Sequence, residues 1–297
     1  MQPGLRRLAP GVNQLTPNRI GDAALQAKVA VLSTSMHQAL LSAPGFEAEA
    51  AVLALTEHAT REHPDAFASD DSGDAIAHHL GWALRAGTPH GDGPSEIGRC
   101  LQALPAEWRL AALLCLAFAE DFAVIDGANG HIPWLAVCLP SHWAPEDKVG
   151  RHFAAVHAPV ADNQMLITAS DHLARLVTGS ERWERFVWTV TPHGKLDNHP
   201  LRWPSAGWPH GVDADTLAAR AFFRTERQTF IPLADRHQAI FTIHVEVMPL
   251  RDAVRDASRA NRLHDALASM SPAVLRYRGL TDARDRLLGW LVAHAGA

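Results

Sequence analysis

The chain has 297 residues, of which 47% are hydrophobic and 20% charged, and it carries a formal net charge of -5. This is enough apolar content for one large core or two modest ones, which excludes a largely disordered chain, and the negative balance offers no basic field for nucleic acid or anionic lipid. Three cysteines, Cys100, Cys115 and Cys138, lack C-x-x-C spacing and read as reduced thiols, not as a disulfide framework or structural zinc site.

In chain order, Met1 to Arg7 lead into a polar stretch without the form of a secretory signal. The longest apolar run, Leu110 to Ala119, is shorter than the ~20 residues of a membrane span, so a cytoplasmic protein with no membrane partner is expected. A helix is predicted over Ala48 to Arg61, where Val52, Leu55 and Ala59 share one face, and another over Ala75 to Arg85, from the spacing of Ile76, Leu80 and Leu84. A loop rich in turn formers, His63 to Gly73, separates them, and the stretch from Thr88 to Pro94 ends the second. Glu107 to Glu120 reads as a third helix.

From Phe122 the periodicity changes. Phe122 to Ile125 and Trp134 to Leu139 read as strands about the turn Asp126 to Gly130, a hairpin signature. Helical and loop segments run from Pro140 to about Gly179. Three more strands are predicted at Arg185 to Thr191, Phe222 to Ile231 and Ala239 to Val247, and helical periodicity returns at Asp252 to Ala268 and Asp282 to His294. The expected fold class is α+β: a PAS-like, five-stranded antiparallel sheet with helices inserted after the second strand. The expected division is a helical N-terminal region over 1–106, a core over 107–250 and C-terminal helices over 251–297.

Three local sequences are candidates for chemistry. In Cys138 to Gly150 a strand ends at Pro140 and Pro145 opens a helical turn. That reads as a rigid corner built around Pro140, Trp143 and Pro145, with Ser141 and His142 left as polar contacts. In Val156 to Val160, His157 sits among apolar residues two positions before Pro159. A histidine on a stiff backbone suits a metal, because the ring must be presented in a fixed orientation; a packed core histidine is the plainer alternative. The third is Arg224 to Thr229, on the predicted strand Phe222 to Ile231, where alternation places Arg224, Glu226 and Gln228 on one face and Thr225, Arg227 and Thr229 on the other. Either arginine could clamp a carboxylate with its planar fork, or the charges could serve an internal Arg–Glu pair or solvent. No H-E-x-x-H, P-loop, G-x-S-x-G or G-x-G-x-x-G motif occurs.

Four blocks in order, Ala119 to Ile125, Val137 to Gly150, Val156 to Val160, and Arg224 to Thr229 followed by Ala239 to Ile243, resemble the haem-dependent oxidative N-demethylase family. The resemblance spans roughly Glu107 to Leu291, including Tyr277 to Leu280. It implies a PAS-like fold holding haem b in an α subunit, and a monooxygenase-type reaction that removes a methyl group from a small secondary or tertiary amine with O2, releasing formaldehyde. It also implies an oligomeric system in which a separate flavin and iron–sulfur reductase partner delivers electrons. Carried onto this chain, His157 is the expected axial iron ligand, with His142 and His172 as alternatives. Arg224, Arg227, Ser141 and Trp143 are the other expected cofactor-binding residues. Ala161, Val187 and Ile231 to Arg236 depart from the family pattern, which bears on the substrate and on turnover. A haem-binding sensor or carrier without turnover, and a haem-free structural subunit, are the competing readings.

Overall fold

A computed structural model describes residues 4–70, 73–157, 164–203 and 207–295, without the side chains of His157, Met165 and Leu166. Its eleven strands are β1 (Arg6–Arg7), β2 (Leu40–Ser42), β3 (Phe67–Ser69), β4 (Ala75–Ala77), β5 (Trp82–Arg85), β6 (Thr88–Gly91), β7 (Glu120–Asp126), β8 (Trp134–Ala136), β9 (Trp183–Thr191), β10 (Phe222–Leu233) and β11 (Gln238–Pro249). The first four helices are α1 (Ala23–Thr34), α2 (Glu49–Glu62), α3 (Ser95–Ala103) and α4 (Ala106–Ala117). Next come α5 (Phe153–His157), α6 (Gln164–Thr168), α7 (Ser170–Val177) and α8 (Ala214–Arg220). The C-terminal set is α9 (Leu250–Ala253), α10 (Ala257–Ala268), α11 (Pro272–Tyr277) and α12 (Arg284–Ala295). Among the described residues no helix is long and apolar enough to cross a membrane.

The fold is α+β. The main sheet has seven strands in the order β1-β9-β10-β11-β7-β8-β2, all antiparallel, where five were expected. The five predicted runs form one contiguous block. The extra strands are a two-residue edge, β1 on β9, and a three-residue edge, β2 on β8. Segments that short carry too few residues for a period-2 pattern, and only the neighbouring strand gives their backbone groups partners.

The first 106 residues are not simply helical, because β3 to β6 build a second, four-stranded antiparallel sheet. The predicted helix over Ala75 to Arg85 is two of its strands. Ile76, Leu80 and Leu84 fit a helical period, but strand alternation fits as well, with Ala75 and Ala77 buried in β4 and Trp82 and Leu84 buried in β5. Gly81, with φ +68, supplies the left-handed turn between them that a continuing helix forbids. The indole of Trp82 then lies over Gly98 of α3, where an added Cβ would meet the ring at 2.1 Å. The loop expected over His63 to Gly73 contains β3, and Thr88 to Gly91 forms β6.

Packing joins these parts. One hydrophobic cluster runs from Leu15 through α1, α2, the small sheet and α4 to Ile243 and Val245, so it draws on residues on both sides of position 106. A second cluster joins α8, α9, α10 and α12 to Val190 of β9. Lys28 of α1 is fully buried and donates to the carbonyls of Phe118 (3.1 Å) and Glu120 (2.5 Å), fastening the helix to the start of β7. Burying an ammonium is costly unless it is paired. Burial acts most strongly to lower the Lys28 pKa, but Asp121, 3.0 Å from its Nζ, together with Cys115 and Cys138 leaves it raised.

Candidate functional site

The register of the main sheet sorts its residues into two faces. On the back face, Thr229 and Thr242 share a hydrogen bond of 2.7 Å under the Gln14 amide, and Arg227 pairs with Glu184 at 3.2 Å. The front face is built of rows that cross the strands. Trp183 stands beside Phe230 and Phe241, Arg185 beside Gln228 and Ile243, Val187 beside Glu226 and Val245, and Thr189 beside Arg224 and Val247. Row neighbours in antiparallel strands have Cβ atoms about 5 Å apart, so each row is one contact unit.

Half of this front face is covered. Val177 of α7 packs on Ile125, Phe230 and Ala239. Val156 of α5 packs with Ala123, Leu135 and Phe241. The other half carries Arg185, Val187, Thr189 and Val247, each only partly buried. His157, the expected iron ligand, is the last residue of α5. Its side chain, and residues 158–160 of its motif, lie outside the described residues, as does the departure at Ala161.

Arg224 is 2% exposed and its guanidinium is spent within the chain. Nε donates to Ser141 Oγ at 2.7 Å, Nη1 to the carbonyl of Lys195 at 3.0 Å, and Nη2 to the carbonyls of Leu196 (2.9 Å), Pro140 (3.2 Å) and Leu139 (3.3 Å). These bonds hold the corner after β8. Leu139 N donates to Asp121 Oδ2 at 2.6 Å, the backbones of Pro140, His142 and Asn198 are cross-bonded, and Arg202 ties Asp197 to the carbonyl of Cys138. His142 sits at φ 63, a conformation uncommon for residues other than glycine, and is exposed. Trp143 packs into two of the hydrophobic clusters. Of the expected cofactor residues, then, Ser141 and Arg224 meet each other at the corner, Trp143 lies in the packing beside them, and Arg227 lies on the opposite face with Glu184.

Three side chains of β9 on the front face present buried polar atoms with no hydrogen-bond partner: Trp183 Nε1, Arg185 Nε and Thr189 Oγ1. Arg185 forms no ion pair or side-chain hydrogen bond among the described residues. Glu226 is close enough to act on it electrostatically, as is Tyr277, but Glu226 Oε2 accepts a 2.5 Å hydrogen bond from Gln228 Nε2. Burial pushes the Arg185 pKa down, with Glu226 and Tyr277 opposing. Burial likewise raises the Tyr277 hydroxyl, helped by Glu226. His193, beyond the end of β9, is a further imidazole; burial first, then Arg224, lowers its pKa, so it is neutral at pH 7, the form that ligates metals. Sequence reasoning passed over Arg185, Thr189 and Tyr277. Only Arg185, a charge opening a run of apolar strand residues, gave a readable signal. Val187, one of the family departures, projects from this same face.

A separate buried group consists of Cys115, Asp121 and Cys138, whose ligand atoms lie within 4.8 Å of one another. The Lys28 ammonium beside Asp121 already supplies the positive charge there. The Cys138 thiol is held well above its usual pKa, by its hydrogen bond with Cys115 first and by burial second.

His172, on α7, is exposed. The family model described as "Haem-dependent oxidative N-demethylase, alpha subunit-like" matches residues 23–288 of the chain. That description names both a dependence on haem and a subunit of a larger enzyme.

Proposed function

Because the chain belongs to the haem-dependent oxidative N-demethylase, alpha subunit-like family, we propose that it is the haem-bearing subunit of a monooxygenase-type enzyme acting on a small secondary or tertiary amine. In the overall change one N-methyl amine, one O2, two electrons and two protons give the demethylated amine, one formaldehyde and one water. Haem b, when bound, supplies the iron at which O2 is reduced. The electrons come from a flavin and iron–sulfur reductase partner.

The observation that carries this reading is the partly exposed half of the front face. Haem b combines an apolar macrocycle with two carboxylates, and this half offers Val187 and Val247, in the same rows as the buried Val245 and Arg224, beside the unpaired Arg185 and Thr189 of β9. The donor set fits the group. The spatial order β9-β10-β11-β7-β8 within the seven strands supports the PAS-like description, in which helices cross one face and leave a ligand space beneath them. His157, at the end of α5, is the axial ligand in this reading. Ser141, Trp143, Arg224 and Arg227 contribute by holding the corner and strands that frame the site. Small alkylamines are protonated at neutral pH, and Glu226 gives the front face a carboxylate to pair with that cation.

The test is a visible spectrum of the purified chain reconstituted with hemin, followed by formaldehyde measurement with dimethylamine, O2 and a surrogate reductant. A Soret band with formaldehyde release is the expected result. His157→Ala should lose haem or shift the Soret band, and His172→Ala should leave it unchanged, because only loss of an iron ligand alters the axial field. A Soret band without formaldehyde from any small methylamine favours a sensor or carrier. Failure to bind haem at all favours a structural subunit.

A further inference from the structure

The front face of β9 holds three buried polar atoms without partners, on Trp183, Arg185 and Thr189, with Val187 between the last two. Folded proteins satisfy nearly all such atoms, and each exception asks for an explanation, often an absent ligand. All three can donate: the Trp183 indole N–H, the Arg185 guanidinium and the Thr189 hydroxyl. Trp183 belongs to the covered half, whereas Arg185 and Thr189 stand on the partly exposed half, where an unpaired guanidinium with a hydroxyl on the same face calls for an acceptor-rich anion.

The nearest carboxylate does not fill that role. Glu226 lies one row from Arg185, but Gln228, directly opposite Arg185 in the register, takes its Oε2 at 2.5 Å. Arg185 is therefore held beside a negative charge with no hydrogen bond or ion pair to it, and partly buried. A buried guanidinium in that state is costly, and a carboxylate entering from outside removes the cost while matching its planar fork. The other two arginines lie elsewhere: Arg224 is spent on Ser141 and four carbonyls, and Arg227 pairs through Nε with Glu184 on the back face, where its own unpartnered Nη2 is turned away from this half of the sheet by strand alternation.

We infer that Arg185, assisted by the Thr189 hydroxyl, receives a carboxylate of the bound ligand, a haem propionate, whereas Arg224 and Arg227 serve the protein's own frame. The inference rests on the haem reading above and adds to it the residue that orients the group. Hydrogen bonds from a charged donor are the strong ones, and one bidentate pair changes affinity by roughly tenfold to a hundredfold.

The test uses two probes that share a macrocycle, hemin and hemin dimethyl ester, whose propionates are esterified and uncharged. Each is titrated into the haem-free full chain and followed in the Soret region. The wild type should bind hemin at least about tenfold more tightly than the diester. Arg185→Gln should remove most of that preference by weakening hemin alone, Thr189→Val should reduce it by a smaller factor, and Arg227→Gln should leave it intact. Should Arg185→Gln fail to fold by circular dichroism, Arg185→Lys decides: a preference reduced several-fold supports the inference, and an unchanged one overturns it. A wild type without preference, a preference that survives Arg185→Gln, or an equal loss for both probes also overturns it while leaving the haem reading standing. A wild type that binds neither probe ends both.

Discussion

Lys28 Nζ lies 3.0 Å from Asp121 Oδ1, and neither side chain is more than 1% exposed. The pair joins α1 to the first residues of β7, and Asp121 also receives the Leu139 amide at the corner after β8. Removing one member strands a buried charge, which costs about 3–5 kcal/mol. Lys28→Met is expected to lower the free energy of unfolding by that amount, read as a lower urea midpoint at unchanged slope. The double variant Lys28→Met with Asp121→Asn should recover part of the loss, because no unpaired charge is left. Urea unfolding followed by circular dichroism measures both.

Glu62, at the end of α2, accepts hydrogen bonds from the amides of Gln14 (2.9 Å) and Leu15 (3.0 Å), and its Oε1 lies 3.2 Å from His58 Nε2. Burial works to raise its pKa, but His58 and the two amides outweigh it and bring the carboxyl below its ordinary value of 4.5. A carboxyl whose folded pKa is depressed adds stability that is complete above its unfolded pKa, about 4.3, and is lost as the pH falls through the folded value. Wild type and Glu62→Gln should therefore differ most at neutral pH and converge in acid. A stability gap that widens below pH ~4 would contradict the assignment.

Arg224 makes five hydrogen bonds to the corner and to the segment after β9. Lysine keeps the charge but cannot reach three separate sites with one ammonium, so Arg224→Lys is expected to destabilise the chain by on the order of 3 kcal/mol. Ser141→Ala removes one acceptor and should cost about 1 kcal/mol. Thermal unfolding of both variants, with the wild type as reference, reads the difference.

Glu226 is the front-face carboxylate assigned to the amine cation. Glu226→Gln keeps the shape and removes the charge. KM for a small methylamine should rise by about tenfold or more with kcat changed far less, because a charge-assisted contact made equally in ground and transition states acts on binding. An unchanged KM would remove Glu226 from substrate recognition. Haem content, read from the Soret band, serves as the internal control.

The amino-acid order alone was sufficient for the α+β class, for the place of the five strand runs and for the two long C-terminal helices, α10 and α12, though it missed α11 and drew β8 longer than its three residues. It was also sufficient for the family, through ordered blocks such as Val137 to Gly150. It could separate Arg224 from Arg227, since alternation is a property of a single strand. What it could not do was say which strand lay beside which. The small sheet was hidden because Ile76, Leu80 and Leu84 satisfy a helical period while Ala75, Ala77, Trp82 and Leu84 satisfy a strand, and only the Gly81 turn and the packing of Trp82 on Gly98 decide between them. The edge strands β1 and β2 were too short to carry a pattern. At the site, Arg224 sits in a polar run and Arg185 opens an apolar one, and neither setting names the partner of its guanidinium. Their roles diverge because the corner after β8 and the segment after β9 together bring Ser141 and four carbonyls to one guanidinium, whereas no ion pair or side-chain hydrogen bond among the described residues meets the other. Register and long-range contact, which are properties of the assembled sheet, decided which arginine was left free.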